Sequence, residues 1–292
     1  MTKAKEAQKL YSQTSFDQRR ALLKTILAWV VDNQDKICAL ASRDSGKTVI
    51  DGSFGEILTT CEKLRWTISN GEQALAPEYR SPGMIMSHKV PRVEYHPVGV
   101  MGCIVSWNYP FHNVMGPVIS ALMAGNASVI KCSEHVAWST SFWQSVFDAA
   151  LEIHGFDKNI VRLVNGWADA GAALVETADK ITFIGSPEVG KLVMKHASAT
   201  LTPVILELGG KDVAVVFDDA DYDQVVQVSL RGTFQNAGQN CAGLERLVVQ
   251  AGIYDKFVSD MEKRVADLRV GPPLGKEQVD MGAMTMYTQV SF

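Results

Sequence analysis

Five short segments hold side chains able to do chemistry. Cys241 lies in Gly238-Gln239-Asn240-Cys241-Ala242-Gly243, just past a helical stretch. Its neighbouring glycines would let a ligand come close to the thiol. A loop cysteine so placed can be a nucleophile; an ordinary packed cysteine is the plainer alternative. Glu207 ends an apolar run in Leu206-Glu207-Leu208-Gly209-Gly210-Lys211. A carboxylate there is costly to bury without a task, although a salt bridge to Lys211 would also account for it. Asn108, in Ser106-Trp107-Asn108-Tyr109-Pro110, offers an amide donor suited to an oxyanion, or simply makes a turn. Lys131 and Glu134 follow another apolar run and could hold ribose or phosphate, or form a solvated loop pair. Gly185 and Ser186 join a strand to a helix in Phe183-Ile184-Gly185-Ser186-Pro187-Glu188-Val189-Gly190. Free N–H groups at a helix start suit a phosphate, and Gly and Ser also serve turn geometry alone.

Other chemistries lack their residues. Ser45-Gly46-Lys47-Thr48 ends like a phosphate-binding P-loop, but Ala41 stands where the first glycine belongs and a helix precedes it. A helix C-terminus with its glycine explains the run. The six histidines show no pair at metal-ligand spacing. There is no Gly-x-Ser-x-Gly elbow and no Gly-x-Gly-x-x-Gly dinucleotide fingerprint.

The elements that must position these side chains follow from periodicity. Residues 1–83 read as helical. Leu22, Leu23, Ile26, Leu27, Val30 and Val31 recur at helical spacing, with Ser15 or Asp17 as N-cap. Ile57, Cys61, Leu64 and Ile68 mark a second amphipathic helix. Residues 84–97 read as an extended excursion, because Pro91 and Pro97 suit an edge rather than a central strand. Over residues 98–208, apolar runs at 98–105, 127–131, 160–164, 180–184 and 203–207 alternate with helical stretches near 113–124, 137–154, 169–177 and 187–199. That alternation predicts an α/β, Rossmann-type parallel sheet covered on both faces, with ligands at the carboxyl ends of its strands. A second series fills residues 209–292: strand 213–217, helix 221–236, strand 245–250, helix 252–268. All five chemical segments fall at or beyond strand ends, or in the loop that faces them.

Composition removes several function classes. The chain has 292 residues, 47% hydrophobic and 21% charged, as in a packed globular protein. With 28 Lys+Arg against 32 Asp+Glu the net charge is −4, so no basic field points to nucleic acid. Five cysteines, an odd number without a Cys-x-x-Cys pair, argue against a disulfide framework and for a reducing compartment. The N-terminus lacks an apolar signal core, so a cytoplasmic location is expected. From Tyr95 to Ile130 there is no Lys, Arg, Asp or Glu, but Pro97, Asn108, Pro110, His112, Asn113, Pro117 and Asn126 interrupt the stretch. It therefore reads as buried strand, loop and helix, well short of the roughly 20 apolar residues of a membrane span.

Taken together and in order, Ser106-Trp107-Asn108-Tyr109-Pro110-Phe111, Lys131-Cys132-Ser133-Glu134, Phe183 to Gly190, and Leu206 to Lys211 with Gly238-Gln239-Asn240-Cys241 34 residues beyond Glu207 resemble the aldehyde dehydrogenase superfamily. The similarity runs from about residue 16 to about 285 and is strongest to a poorly characterised fungal and plant branch. The resemblance implies NAD-dependent oxidation of an aldehyde to a carboxylic acid. In it, Cys241 attacks the carbonyl, Asn108 and the Cys241 N–H hold the oxyanion, and Glu207 activates the hydrolytic water. It also implies that Lys131 and Glu134 hold the adenine ribose, with Glu134 favouring NAD over NADP. Ser186 meets the pyrophosphate, Gly185 and Gly166 allow the backbone close, and Trp107 lines the cofactor channel. An acylating relative, passing the acyl group to an acceptor such as coenzyme A, is disfavoured by Glu207. The family pattern continues with a Glu-x-Phe-Gly-Pro motif and a last strand used in homo-oligomers, and the chain stops at Phe292 without them. The expectation is thus a C-terminally truncated, incomplete second α/β catalytic domain. Its sheet would have an open edge, and oligomerisation would belong to the longer parent. The alternative is an inactive NAD-binding fragment. Met281 to Met286 still resembles the family, whereas Tyr287 to Phe292 departs from it.

Overall fold

The computed structural model describes residues 1–287. Helices come first: α1 Thr2–Tyr11, α2 Phe16–Asp32, α3 Gln34–Ser45, the single turn α4 Val49–Gly52, a π-helical turn Ser53–Leu58, and α5 Thr59–Ala74. Ser15 is the N-cap of α2. It accepts from Gln18 N at 3.2 Å while Gln18 Oε1 accepts from Ser15 N at 2.9 Å, a capping box that satisfies two otherwise orphaned donors. Leu22, Leu23, Ile26 and Val30 are buried as their spacing predicts, but Val31 is half exposed. Gly46 ends α3 in the left-handed region at φ 73°, so the P-loop-like run is a helix C-cap.

Two short strands, β1 Glu78–Tyr79 and β2 Arg92–Val93, pair antiparallel. Residues 84–97 are not extended throughout: 83–88 form a turn, entered through Ser81-Pro82-Gly83 with Gly83 at φ 68°. A Pro-Gly step imposes that bend locally.

The centre is a five-stranded parallel sheet of order β5–β4–β3–β6–β7, with β3 Val100–Ile104, β4 Ala127–Lys131, β5 Val161–Val164, β6 Lys180–Ile184 and β7 Val204–Glu207. Helices α6 His112–Met123, α7 Thr140–Ile153, α8 Ala168–Thr177 and α9 Pro187–Ser198 make the crossovers. The stretch expected to be helical over 137–154 opens earlier, as a 3-10 segment at Glu134–Ser139. Strand side chains alternate between two cores. Cys103, Val105 and Ile130 pack with α2, α5, α6 and α7, whereas Val100, Ala127, Val129, Ile181 and Phe183 pack with α8 and α9. The chain adds strands on one side of β3 and then returns to add β6 on the other. A switch of this kind opens a crevice beyond the carboxyl ends of β3 and β6.

Two further strands, β8 Asp212–Val216 and β9 Leu244–Val249, pair in parallel around α10 Tyr222–Phe234, followed by α11 Tyr254–Ala266. Val213, Val215, Phe217 and Val248 on or beside these strands are exposed. No helix among the described residues is long and apolar enough to cross a membrane. The departure expected over residues 287–292 lies, apart from Tyr287, outside the described residues.

Candidate active site

A cleft of about 350 Å³ opens where the crevice at the strand ends meets the loop after α10. Its walls include Trp107 and Asn108 after β3, Gly185 and Ser186 after β6, Glu207 at the end of β7, and Cys241. Parallel pairing explains the convergence: Ile184 is in register with Glu207, and Gly185 N donates to Glu207 O at 3.1 Å. The alternative partner for Glu207 is otherwise engaged, since Lys211 pairs with Glu245.

Cys241 is exposed, whereas Cys38, Cys103 and Cys132 are buried and Cys61 is partly so. Burial pushes the Cys103 thiol up to about 12 and the Cys132 thiol to about 11, which leaves both inert. The approach to Cys241 is made by three successive left-handed residues, Asn236 at φ 55°, Ala237 at 56° and Gly238 at 74°. Two of these are not glycine, a backbone cost tolerated where a loop is over-determined by its contacts. The contacts are present. Asn236 Nδ2 donates to Gln239 O at 2.9 Å and to Asn108 O at 3.1 Å. Gln239 Nε2 returns a bond to Asn236 O at 3.0 Å, and Gln239 Oε1 accepts from Thr285 N at 2.8 Å. Thr285 Oγ1 donates to Ser45 O at 2.7 Å, so the run resembling the family near Met281 to Met286 ties the end of α3 to the cysteine loop.

Asn108 is oriented as firmly. Its Oδ1 accepts from Ser106 Oγ at 2.7 Å and Asn113 Nδ2 at 3.1 Å, which fixes the amide flip. Nδ2 spends one N–H on Gln239 O at 3.2 Å and keeps the second. The Cys241 N–H donates to no protein acceptor among the described residues. Two uncommitted donors therefore belong to residues that line the same cleft as the thiol.

Below this loop lies a buried ion pair that the sequence did not announce. Lys47 Nζ donates to Glu56 Oε1 at 2.6 Å and to Asn108 O at 2.7 Å, and both side chains are 0% exposed. The other Glu56 oxygen accepts from His112 N at 2.7 Å and Phe111 N at 3.2 Å, the open start of α6. The Tyr109 ring covers Lys47 Nζ with its centroid 4.0 Å away. Tyr109 in turn fits against Gly55, where a Cβ would lie 2.1 Å from its Cε1. Desolvation pulls the Lys47 pKa down against the charge of Glu56. Periodicity could not find this pair, because two charges nine residues apart read as surface.

Lys131, Glu134 and Gly166 do not line the cleft. They sit farther along the same strand-end edge, at β4, in the 3-10 segment and two residues beyond β5. Lys131 Nζ lies 2.5 Å from Glu134 Oε2, with the lysine side chain 8% exposed. Partial burial raises the Glu134 pKa, but the bond and charge of Lys131, with help from its own N–H and His135, hold it below the usual carboxylate range. Gly166 and Gly185 are required by space: a Cβ would lie 2.5 Å from Ala170 Cβ in the first case and 2.5 Å from Phe183 Cζ in the second. Ser186 caps α9, its Oγ accepting from Val189 N at 3.4 Å.

An exposed thiol, two uncommitted N–H donors and a carboxylate lining one cleft at the strand ends of a parallel sheet make this the candidate active site of an α/β protein. Comparison with known proteins places it more closely. The Aldehyde dehydrogenase family model matches residues 1–291, and the chain belongs to that family. An aldehyde dehydrogenase-like protein of Schizosaccharomyces pombe is 44% identical over 283 residues, which is 96% of this chain and 54% of that protein. The chain thus spans about half the length of the curated relatives it matches. Among solved structures, an aldehyde dehydrogenase of Brucella melitensis biovar abortus superposes with TM-score 0.87 at 26% identity, covering 98% of this chain and 58% of that one. PnpE, solved in complex with nicotinamide adenine dinucleotide, superposes with TM-score 0.87 at 28% identity, covering 97% and 57%.

Proposed function

We propose that the protein oxidises an aldehyde to a carboxylic acid with NAD, through a thiohemiacetal and then a thioester on Cys241. The observation that carries the reading is the meeting of an exposed thiol, two uncommitted N–H donors and Glu207 in one cleft. The Cys241 thiolate attacks the carbonyl carbon, and the new oxyanion is held by Asn108 Nδ2 and the Cys241 N–H. A dinucleotide held at the strand ends would supply the hydride acceptor that takes the thiohemiacetal to the thioester. Glu207 takes a proton from water, which attacks the thioester carbon and releases the acid and the free thiolate.

The residues present suit a dinucleotide. No side chain fits at Gly185, so the turn before α9 stays bare beside a helix N-terminus, where a pyrophosphate is stabilised. Glu134 accepts from ribose hydroxyls and repels a 2′-phosphate, which selects NAD. The β4 end, with Lys131 and Glu134, and the β7 end, with Glu207, are three strand spacings apart, roughly 14 Å. That span would set the adenine ribose apart from the reacting atoms.

A second reading is a chain that binds the cofactor without turnover. The exposed apolar face of Val213, Val215, Phe217 and Val248 favours it, since such a patch wants a covering surface. Rapid mixing with NAD and an aldehyde series separates the two. A burst of NADH lost in Cys241→Ala supports oxidation by this chain. A folded chain that binds NAD and yields none supports the second reading.

A further inference from the structure

A second cavity, about 550 Å³, adjoins the cleft and shares Glu207 and Ile184 with it. It runs between α5, α6 and the sheet. Its charge is unusual for a pocket next to a catalytic carboxylate: Lys63, His112, His96 and Lys180 line it, and Glu207 at its mouth is the one acid among the lining residues. Lys63 makes no ion pair and no hydrogen bond among the described residues. Burial lowers its pKa, opposed by the charge of Glu207. His112 is anchored by its other nitrogen, with Thr60 Oγ1 2.9 Å and Thr59 Oγ1 3.2 Å from Nδ1. The Thr59 hydroxyl proton is spent on Gly55 O at 2.6 Å, so only Thr60 can donate to Nδ1, and in the tautomer where it does so Nε2 carries the N–H. The two free nitrogens converge. A Cβ placed on Gly116 would lie 3.9 Å from Lys63 Nζ and 4.0 Å from His112 Nε2, and Gly116 leaves that point open.

We propose that this cavity receives the tail of the aldehyde, and that Lys63 and His112, meeting above Gly116, bind a carboxylate at its far end. The inference rests on the aldehyde-oxidising reading and names its substrate class: short aldehydes that carry a second, acidic group. An ammonium and an imidazole N–H form charge-assisted bonds to such a group, and the neutral aldehyde of equal length leaves both unpaired. The anion also adds a second negative charge to a lining in which Glu207 is the one acid.

The test compares kcat/KM for 4-oxobutanoate, 5-oxopentanoate and 6-oxohexanoate with butanal, pentanal and hexanal. Wild type should favour the best acid by tenfold or more over its length-matched partner. Lys63→Met should collapse that ratio at least tenfold. Gly116→Val, which fills the meeting point, should collapse it as well and serves if the first variant misfolds. A structural role for Lys63 would lower both members of a pair together and leave the ratio intact. A wild-type ratio near one, or a ratio untouched in both variants, overturns the proposal while leaving aldehyde oxidation standing. If wild type oxidises no aldehyde, the functional reading fails and calorimetry with butanoate and butanamide decides the pocket. Butanoate bound in preference to butanamide, and tenfold more weakly by Lys63→Met, supports the carboxylate site. Equal binding, or none, overturns it.

Discussion

Replacing Glu56 with Gln would keep the shape of the buried pair and remove its charge. Lys47 would then be a fully buried ammonium with one neutral carboxamide and the Asn108 carbonyl as partners. Breaking a buried pair by neutralising one side costs about 3–5 kcal/mol, because the surviving charge is uncompensated. At about 2–4 °C per kcal/mol for a chain of this size, the melting temperature should fall by about 6–20 °C. The loss should reach the site, since Lys47 Nζ and Asn236 Nδ2 are what hold the Asn108 carbonyl. The double variant Lys47→Met, Glu56→Leu tests the reasoning more sharply. Well-packed apolar residues often replace a buried pair at little cost, so it should melt above Glu56→Gln while still losing activity through a looser Asn108. Thermal unfolding followed by circular dichroism, with initial rates on the same samples, reads both. A Glu56→Gln protein within about 1 kcal/mol of wild type would refute the account of the pair.

Three further outcomes are expected. Asn108→Ala should lower kcat by about 10²–10³-fold, the usual loss of one oxyanion donor, and Asn113→Ala should lower it less, because it only frees the amide to flip; steady-state kinetics checks both. Glu134→Thr should raise the NADP-to-NAD ratio of kcat/KM by about tenfold or more through loss of a charge next to the 2′ position. Burial, with the charges of Lys63 and Lys47, holds the His112 pKa below 6.5 against the pull of Glu56. Just below pH 6.5 the unfolded chain therefore binds more protons than the folded one. Stability should fall as pH drops from 6.5 toward the folded value. Melting temperatures from pH 7 to 5 should show a shallower slope in His112→Gln.

Local pattern carried the fold where one element could be read alone. The run 127–131 is buried throughout because helices cover both sides of the sheet, whereas 180–184 buries Ile181 and Phe183 and leaves its other face at a cavity; the two match β4 and β6 residue for residue. The helix over 137–154 was less legible: Glu134 to Ser139 form a 3-10 entry set by the Ser133 cap, and no apolar period marks it. The turn inside 84–97 follows from Pro82-Gly83, a signal outweighed by the apolar residues after it. In the candidate site, Cys241, Glu207 and Asn108 stood out at strand ends and beside glycines, each with a plainer alternative, and it is the family resemblance that implies their roles. Lys47, Glu56 and Asn113 did not stand out. Lys47 and Glu56 are nine residues apart and meet over the Asn108 and His112 backbone more than fifty residues on, and a buried charge looks like a surface one until its partner is known.

The central claim is that Cys241 carries the acyl group and Glu207 removes it. Intact-protein and peptide mass spectrometry of Glu207→Gln, quenched after mixing with NAD and an aldehyde, tests this most directly. The account predicts one equivalent of NADH and an acyl adduct on the Cys241 peptide that persists because its hydrolysis is slowed. NADH formed with no adduct on Cys241, or with an adduct that turns over as fast as in wild type, would contradict it.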